Sequence, residues 1–371
     1  MTKLVSLFLK LVNIFVVVLF ILASLIPYLP TGKYWMISVL GLVFPVLLCG
    51  VAAFLIIWLI ARSRWVFLSL AALLISWKQL AVVAGLNNGE SFTAAKNKET
   101  LRVFTWNVSS WGESNKSPNI KNSGPLMMDL VKNQQADVLC FQEFYDLKQE
   151  HSSFSVVRHF KESGYPYSYF VRSTLEKRLN KIGVAIFSKY PIIDTACFSF
   201  GENDFAEHLI YADIQVNDQK IRVFTTHLQS VRFEDEQYTA LRKIKRTDES
   251  GLKGFGTIVR KLKTAYEFRS VQADLVNAKI LESPYPVIVC GDFNDVPNSY
   301  TYFKIKGDLQ DAFLKKGSSL GRTFRYLSPT LRIDYIMADK KLAVTQFNRL
   351  IAPFSDHYPV VADFMIPGNL P

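Results

Sequence analysis

Eight side chains in this sequence could hold a hard cation and act on whatever it polarises: Asn107, Glu143, His227, Asp292, Asn294, Asp334, Asp356 and His357. Position singles them out. Trp106-Asn107 ends the apolar run LRVFTWNV, Gln142-Glu143 ends ADVLCFQE, and Thr226-His227 nearly ends KIRVFTTHL. Asp292-Phe293-Asn294 closes another run that begins YPVIVCG, Asp334 lies within RIDYIMA, and Asp356-His357 immediately precedes PVVADFMI. A carboxylate after a buried apolar strand is costly unless a cation or hydrogen bonds replace its lost hydration. One such ending usually means a capped turn; several in one chain imply a shared mouth at one edge of the sheets. Carboxylate and amide oxygens with almost no sulfur among them suit Mg2+ or Mn2+.

The elements that must position these residues are legible as short β-rich runs over 101–108, 136–143, 181–188, 220–228, 285–293, 332–338 and 359–366. Several are nearly continuous in apolar residues, as strands buried on both faces are. Helices are expected over 117–135 and 254–281. In the latter Val259, Leu262, Ala265, Phe268, Val271 and Leu275 recur at three- and four-residue spacing. The polar stretch Asn87–Thr100 reads as a tether, with the linker proper at 89–100 and one α/β domain over 101–371. Four cysteines without CxxC or Cys/His ligand spacing indicate neither a zinc site nor a disulfide framework.

Six motifs in order, W-N (106–107), Q-E (142–143), T-H-L (226–228), G-D-F-N (291–294), R-I-D-Y (332–335) and S-D-H (355–357), resemble those of the endonuclease/exonuclease/phosphatase superfamily. That superfamily includes deoxyribonucleases, abasic-site endonucleases, inositol-polyphosphate 5-phosphatases and neutral sphingomyelinases. The resemblance runs from about Leu101 to Ile366. It implies a four-layer sandwich, two mixed β-sheets face to face with helices outside, and hydrolysis of a phosphodiester in nucleic acid or phospholipid. By motif, Glu143 is the principal metal ligand, with Asn107 beside it binding metal or phosphate and Asp356 binding or organising the metal. Asp292 and Asn294 orient the attacking water. His357, held in its tautomer by Asp334, contacts the scissile phosphate, and His227 stands near the leaving oxygen. Glu176 is the candidate carboxylate partner of His227, while His151, His159 and His208 match nothing and are expected at the surface. The contrasting reading is a non-catalytic binding or signalling module that kept the fold. Loss of Glu143, Asp292, Asn294 or His357 would have pointed there, and all four are present.

Residues 1–88 contain no Asp or Glu and only six Lys or Arg, whereas all 32 acids lie from Glu90 onward. The boundary is one between lipid and water. Apolar spans are expected at about 11–32, 34–61 and 65–86, the first long enough at roughly 33 Å to cross a bilayer core. Lys78 weakens the third. Its cost of about 2.5–3.5 kcal/mol is narrowly exceeded by the eleven Leu, Ile, Val and Phe of that run. Lys3, Lys10, Arg62 and Arg64 lie on one side and Lys33 alone on the other, so the N-terminus is expected inside. Three spans then put the C-terminal domain outside the cytoplasm. Nine basic residues against three acids between Arg242 and Arg269 concentrate the positive charge. That stretch suits a nucleic-acid backbone, anionic headgroups or a solvated helix face.

Overall fold

The computed structural model describes residues 3–87, 92–112, 123–146, 155–172, 182–201, 207–233 and 255–366. Its strands are β1 (Gly85–Leu86), β2 (Thr100–Asn107), β3 (Val138–Phe144), β4 (Tyr167–Arg172), β5 (Gly183–Ser188), β6 (Ile192–Ser199) and β7 (His208–Val216). They continue with β8 (Gln219–His227), β9 (Val287–Asp292), β10 (Gln310–Asp311), β11 (Ser318–Ser319), β12 (Asp334–Ala338), β13 (Val344–Arg349) and β14 (Val360–Met365). Two six-stranded sheets result, in the orders β13-β14-β2-β3-β5-β4 and β10-β12-β9-β8-β7-β6. Each is mixed: β2 with β3 and β8 with β9 are parallel, and the other pairs are antiparallel.

Side chains alternate along a strand, so one phase of each central strand fills the space between the sheets. Leu101 and Val103, Val138 and Cys140, Ile221 and Val223, Ile288 and Cys290, and Ile336 and Ala338 form that shared core. The opposite phase of the first sheet, Phe104, Trp106, Leu139, Phe141 and Phe187, packs with Trp111 and Phe160 in an aromatic layer. Helices Gly124–Asn133 and Val156–Glu162 contribute Met127, Met128, Val131 and Val156 to it. The architecture is two mixed sheets flanked by helices, as expected.

Seven strands escape the sequence reading: β4, β6, β7 and β13, and the two-residue β1, β10 and β11. The segment read as a tether is pinned. Thr93 N donates to Gln346, Arg102 donates to the carbonyls of Thr93 and Ala94, and Asn87 Nδ2 donates to the carbonyls of Leu314 and Gly317.

A separate compact unit comprises Met1–Val83, Gln229–Asp274 and Val296–Ile305. Two of its helices, covering Lys3–Tyr28 and Leu40–Ile60, are long and apolar enough to cross a membrane. The third run departs from expectation. It is helical over Val66–Ile75 and Trp77–Leu80, interrupted at Ser76, and Gly85–Leu86 is already strand. Ten residues rise only about 15 Å, half a bilayer core. The 65–86 stretch is therefore not one continuous spanning helix. The unit has an apolar core of Val17, Phe20, Phe44, Val51 and Ala72. Asn13, Ser69, Ser76 and Gln79 are also buried, with Ser69 Oγ 3.2 Å from Asn13 Oδ1, while Phe8, Phe15, Val46, Ile60, Phe67, Ile75 and Trp77 are exposed.

Candidate active site

The core phase of each central strand runs on to a polar terminus. In phase with Val103 comes Asn107, with Val223 comes His227, with Cys290 comes Asp292, and with Ile336 comes Asp334. All four are buried, and parallel pairing sets His227 beside Asp292, while antiparallel pairing sets Asp334 opposite Asp292. The same alternation would send Glu143 outward with Leu139 and Phe141. A bulge prevents it: the β3–β5 register shifts between Phe141 and Phe144, and Glu143 takes φ of +48°. An extra residue in left-handed backbone re-aims the side chain. The Glu143 carboxylate consequently lies 3.1 Å from Asn107 Nδ2.

Asn107 bridges two acids, since the same Nδ2 donates to Asp292 Oδ2 at 3.1 Å. Asp292 Oδ1 accepts from the backbone N–H of Asn294 at 2.8 Å, in a turn where Asn294 has φ of +52°. Asn294 Nδ2 is tied to the carbonyl of Leu228. Burial pushes the Asp292 pKa up; His357 opposes this, Asp334 adds to it, and His227 and Asn107 oppose it.

Two imidazoles flank Asp292. His357 Nε2 lies 3.6 Å from Asp292 Oδ2, and its Nδ1 lies 3.0 Å from Asp334 Oδ2. Burial disfavours its charged form, but Asp334, Asp292 and Asp356 outweigh burial and hold its pKa well above the ordinary histidine range. His227 Nε2 lies 3.8 Å from Glu143 Oε1 and 3.7 Å from Asp292 Oδ2. Both of its ring nitrogens are buried and, among the described residues, have no hydrogen-bond partner. Buried imidazole nitrogens are rarely left so, and these border a cluster of carboxylates.

Glu143 keeps 34% of its side-chain surface. Burial raises its pKa, His227 lowers it, and Asp356 raises it again. Asp292, Asp334 and His357 also form a group whose ligand atoms lie within 4.8 Å of one another. That group is internally compensated, because Asp334 already engages His357 and Asp292 already accepts two hydrogen bonds. Glu143 and Asp356 each accept one side-chain hydrogen bond among the described residues, from Asn107 and Ser355 respectively.

All eight residues named from the sequence are described. The contacts link Asn107, Glu143, His227, Asp292, Asn294, Asp334 and His357 into one cluster, with Asp356 joined through its charge on Glu143. Two neighbours went unassigned. Gln142 Nε2 donates to Thr105 and, across the two sheets, to Thr225 at 2.8 Å. Ser355 Oγ donates to the Asn107 carbonyl at 2.8 Å and accepts from His357 N–H. Their presence inside the Q-E and S-D-H motifs was the available signal. Glu176 and His151 lie outside the described residues; the carboxylates beside His227 are Glu143 and Asp292. His208 is buried, against expectation, because β7 is an interior strand; His159 is half-buried. Of the basic stretch, Arg242–Lys253 lies outside the described residues, and Arg269 is buried with Nη1 on the Gln229 carbonyl.

The fold is shared with solved structures. The human Nocturnin catalytic domain with bound sulfate anion matches at 18% identity and TM-score 0.50, over 73% of this chain and 96% of that one. An endonuclease/exonuclease/phosphatase from Beutenbergia cavernae matches at 20% identity and TM-score 0.53, over 73% and 72%. A family protein from Bacteroides thetaiotaomicron matches at 19% identity and TM-score 0.50, over 71% and 97%. No curated protein matches the sequence. Residues 5–83 match a family described as a domain of unknown function, DUF8431. The model of the Endonuclease/Exonuclease/phosphatase family matches residues 104–357, more than half of the chain, and the chain belongs to that family.

Proposed function

We propose that the chain is a membrane-anchored, divalent-metal-dependent phosphoester hydrolase, a phosphodiesterase acting on nucleic acid or phospholipid. His227 carries this reading: an imidazole with both nitrogens buried and, among the described residues, unpartnered, beside Glu143 and Asp292, is poised for an external anion or leaving group. The anionic oxygens of a phosphoester complement it and the charged His357.

Glu143 and Asp356 would hold Mg2+ or Mn2+, relieving the repulsion that helps raise the Glu143 pKa. Asn107 turns its Nδ2 to both acids and becomes a ligand only after its amide rotates. When bound, the cation neutralises charge developing on the phosphoryl oxygens. The remaining steps belong to side chains. Asp292, whose pKa burial raises, takes a proton from the attacking water as general base. Asn294 fixes that carboxylate through its N–H. His357, kept protonated by Asp334, stabilises the phosphoryl oxygens, and His227 gives its proton to the leaving oxygen. The bound sulfate of the Nocturnin domain is consistent with an anion site in this fold. The test is turnover by the purified full-length chain of DNA, RNA, sphingomyelin and phosphoinositides with Mg2+. Wild-type inactivity on every phosphoester with both Mg2+ and Mn2+ would overturn the reading.

The anchor is inferred from two helices long and apolar enough to cross a membrane and from the large apolar side chains exposed on them. Apolar side chains facing outward and polar ones facing inward suit lipid, where interhelical hydrogen bonds hold bundles together. Lys10 stacks over Trp65 near Trp58 at one end, and Lys33 over Tyr34 at the other, as interfacial belts do. Lys78 is exposed over the Trp77 ring, positioned to snorkel. We assign residues 1–88 to the membrane module, 89–100 to the connection and 101–371 to the catalytic domain. The positive-inside rule keeps Lys3, Lys10, Arg62 and Arg64 in the cytoplasm, and a third crossing by the interrupted run would then put the catalytic domain outside it.

A further inference from the structure

Beside His357 stands a group of charges that the hydrolytic reading does not use. The guanidinium carbons of Arg322, Arg325 and Arg349 lie 5.8, 5.8 and 5.3 Å from the centroid of one ring, that of Tyr358. No two of them are further apart than twice that distance. Among the described residues, none of the three has a carboxylate within ion-pair distance. Two are fixed by backbone instead: Arg349 Nη1 donates to the Arg322 carbonyl at 2.7 Å, and Arg325 Nη1 donates to the Ser355 carbonyl at 2.6 Å. All three are half-buried, which removes part of the water that would screen them. Burial lowers the Arg349 pKa, Tyr358 opposes this, and Arg322 adds to it.

A tyrosine ring alone is weak compensation for three guanidiniums. Cation–π attraction to one face is modest at exposed sites, and like charges this close repel. An anion satisfies all three, and guanidinium forks match phosphate oxygens best. The location supplies the rest. Phe324 bridges to His357 and packs its ring edge on the imidazole at 5.0 Å. On the same ribbon Arg325 N–H donates to the Asp356 carbonyl and Tyr358 N–H to the Thr323 carbonyl. Arg325 therefore shares one short β-ribbon with His357, Arg322 immediately precedes it, and Arg349 reaches it from the end of β13.

We propose that Arg322, Arg325 and Arg349 form a second anion site, which takes a further phosphate group of the same substrate molecule, next to the ester being cleaved. The site selects multiply phosphorylated substrates over singly phosphorylated ones. It rests on the hydrolase reading for the ester itself.

The test uses two chromogenic esters that differ only in a second phosphate: thymidine 5′-(p-nitrophenyl phosphate) and its 3′-phosphorylated counterpart. Full-length protein in detergent micelles should prefer the 3′-phosphorylated ester by about tenfold or more in kcat/KM, mainly through KM. In the Arg322→Gln/Arg349→Gln double variant that ratio should fall to within about twofold of unity. A ratio cancels any general loss of activity. Equal use of both esters by the wild type, or a preference that survives in the variant, overturns the proposal. Inorganic phosphate separates the substrate's own phosphate from a free one. Competition only against the 3′-phosphorylated ester supports the site, whereas stimulation of the simpler ester would make it an effector site and overturn substrate selection. If the wild type cleaves neither ester, binding decides the anion site, and the hydrolase reading is judged separately on the wider substrate panel. Calorimetry should then show thymidine 3′,5′-bisphosphate binding about tenfold tighter than the 5′-monophosphate, and equal affinity overturns it.

Discussion

Asn107 Nδ2 and Glu143 Oε1 lie 3.1 Å apart although strand alternation assigns their side chains to opposite faces of one sheet. The bulge between Phe141 and Phe144 reconciles the two, at the cost of left-handed backbone at a non-glycine residue. Such a conformation costs roughly 1–2 kcal/mol with a Cβ present and is typical of functional positions. Glu143→Gly should therefore unfold at a higher temperature than Glu143→Ala in chelator, by about 1 kcal/mol, while both lose turnover. Equal stability of the two variants in thermal denaturation would contradict a strained ligand position.

Chelation should abolish phosphodiesterase activity, and Mg2+ or Mn2+ should restore it while zinc restores it poorly. The oxygen donors proposed on Glu143 and Asp356 would set that preference. The readout is initial rate against added metal after dialysis with chelator. Full activity in excess chelator is incompatible with the role given to Glu143.

Asp292→Ala, Asn294→Ala and His357→Ala should each lower kcat by about 10²–10⁴, the usual worth of positioned acid–base groups. Unchanged circular dichroism would separate catalytic loss from unfolding. Near-normal rates in two of the three would refute the assignment of Asp292 as the base and its neighbours as its supports.

His357 offers a prediction for the metal-free protein. Its pKa is held above the ordinary range by Asp334, Asp292 and Asp356 against burial. A raised folded-state pKa contributes stability that is complete below the unfolded value of about 6.5 and is lost as pH rises through the folded value. Thermal stability in chelator should thus decline on that alkaline side, and Asp334→Asn should weaken the decline. Nuclear magnetic resonance of the imidazole checks the cause directly. A His357 titration at or below the unfolded value would remove it.

How much of this was legible depends on burial. Strands β2, β3, β5, β8, β9, β12 and β14 announce themselves as apolar runs because both faces are covered. Strands β4, β6 and β13 are sheet edges with half-exposed residues, so their sequences carry little contrast. Interior β7 was hidden by Asp213, a charge that looks like a strand breaker until Arg222 is seen clamping it at 2.7 Å from the next strand. The clustered polar residues were readable because ordered motifs carried them, whereas the Glu143 bulge was not, since its register shift has no local sequence signature. Ser355 and Gln142 act through hydrogen bonds to groups distant in sequence, which spacing alone does not reveal.

Membrane topology gives the last prediction. The third run is broken at Ser76, and neither helical piece alone spans a bilayer core of about 30 Å. Taken alone, this would leave two crossings and a cytoplasmic catalytic domain. We propose instead that residues 66–84 recross in two pieces, which with Lys3, Lys10, Arg62 and Arg64 kept in the cytoplasm by the positive-inside rule would put the catalytic domain outside. C-terminal fusions decide it. Alkaline phosphatase should be active and green fluorescent protein dark; the reverse pair would show two crossings and place the site among cytoplasmic nucleotides. Ser69→Leu should lower the yield of the active phosphatase fusion, because it removes the hydrogen bond to Asn13 and overfills a closed interface. An unchanged yield would mean that the third segment does not depend on that bond to cross.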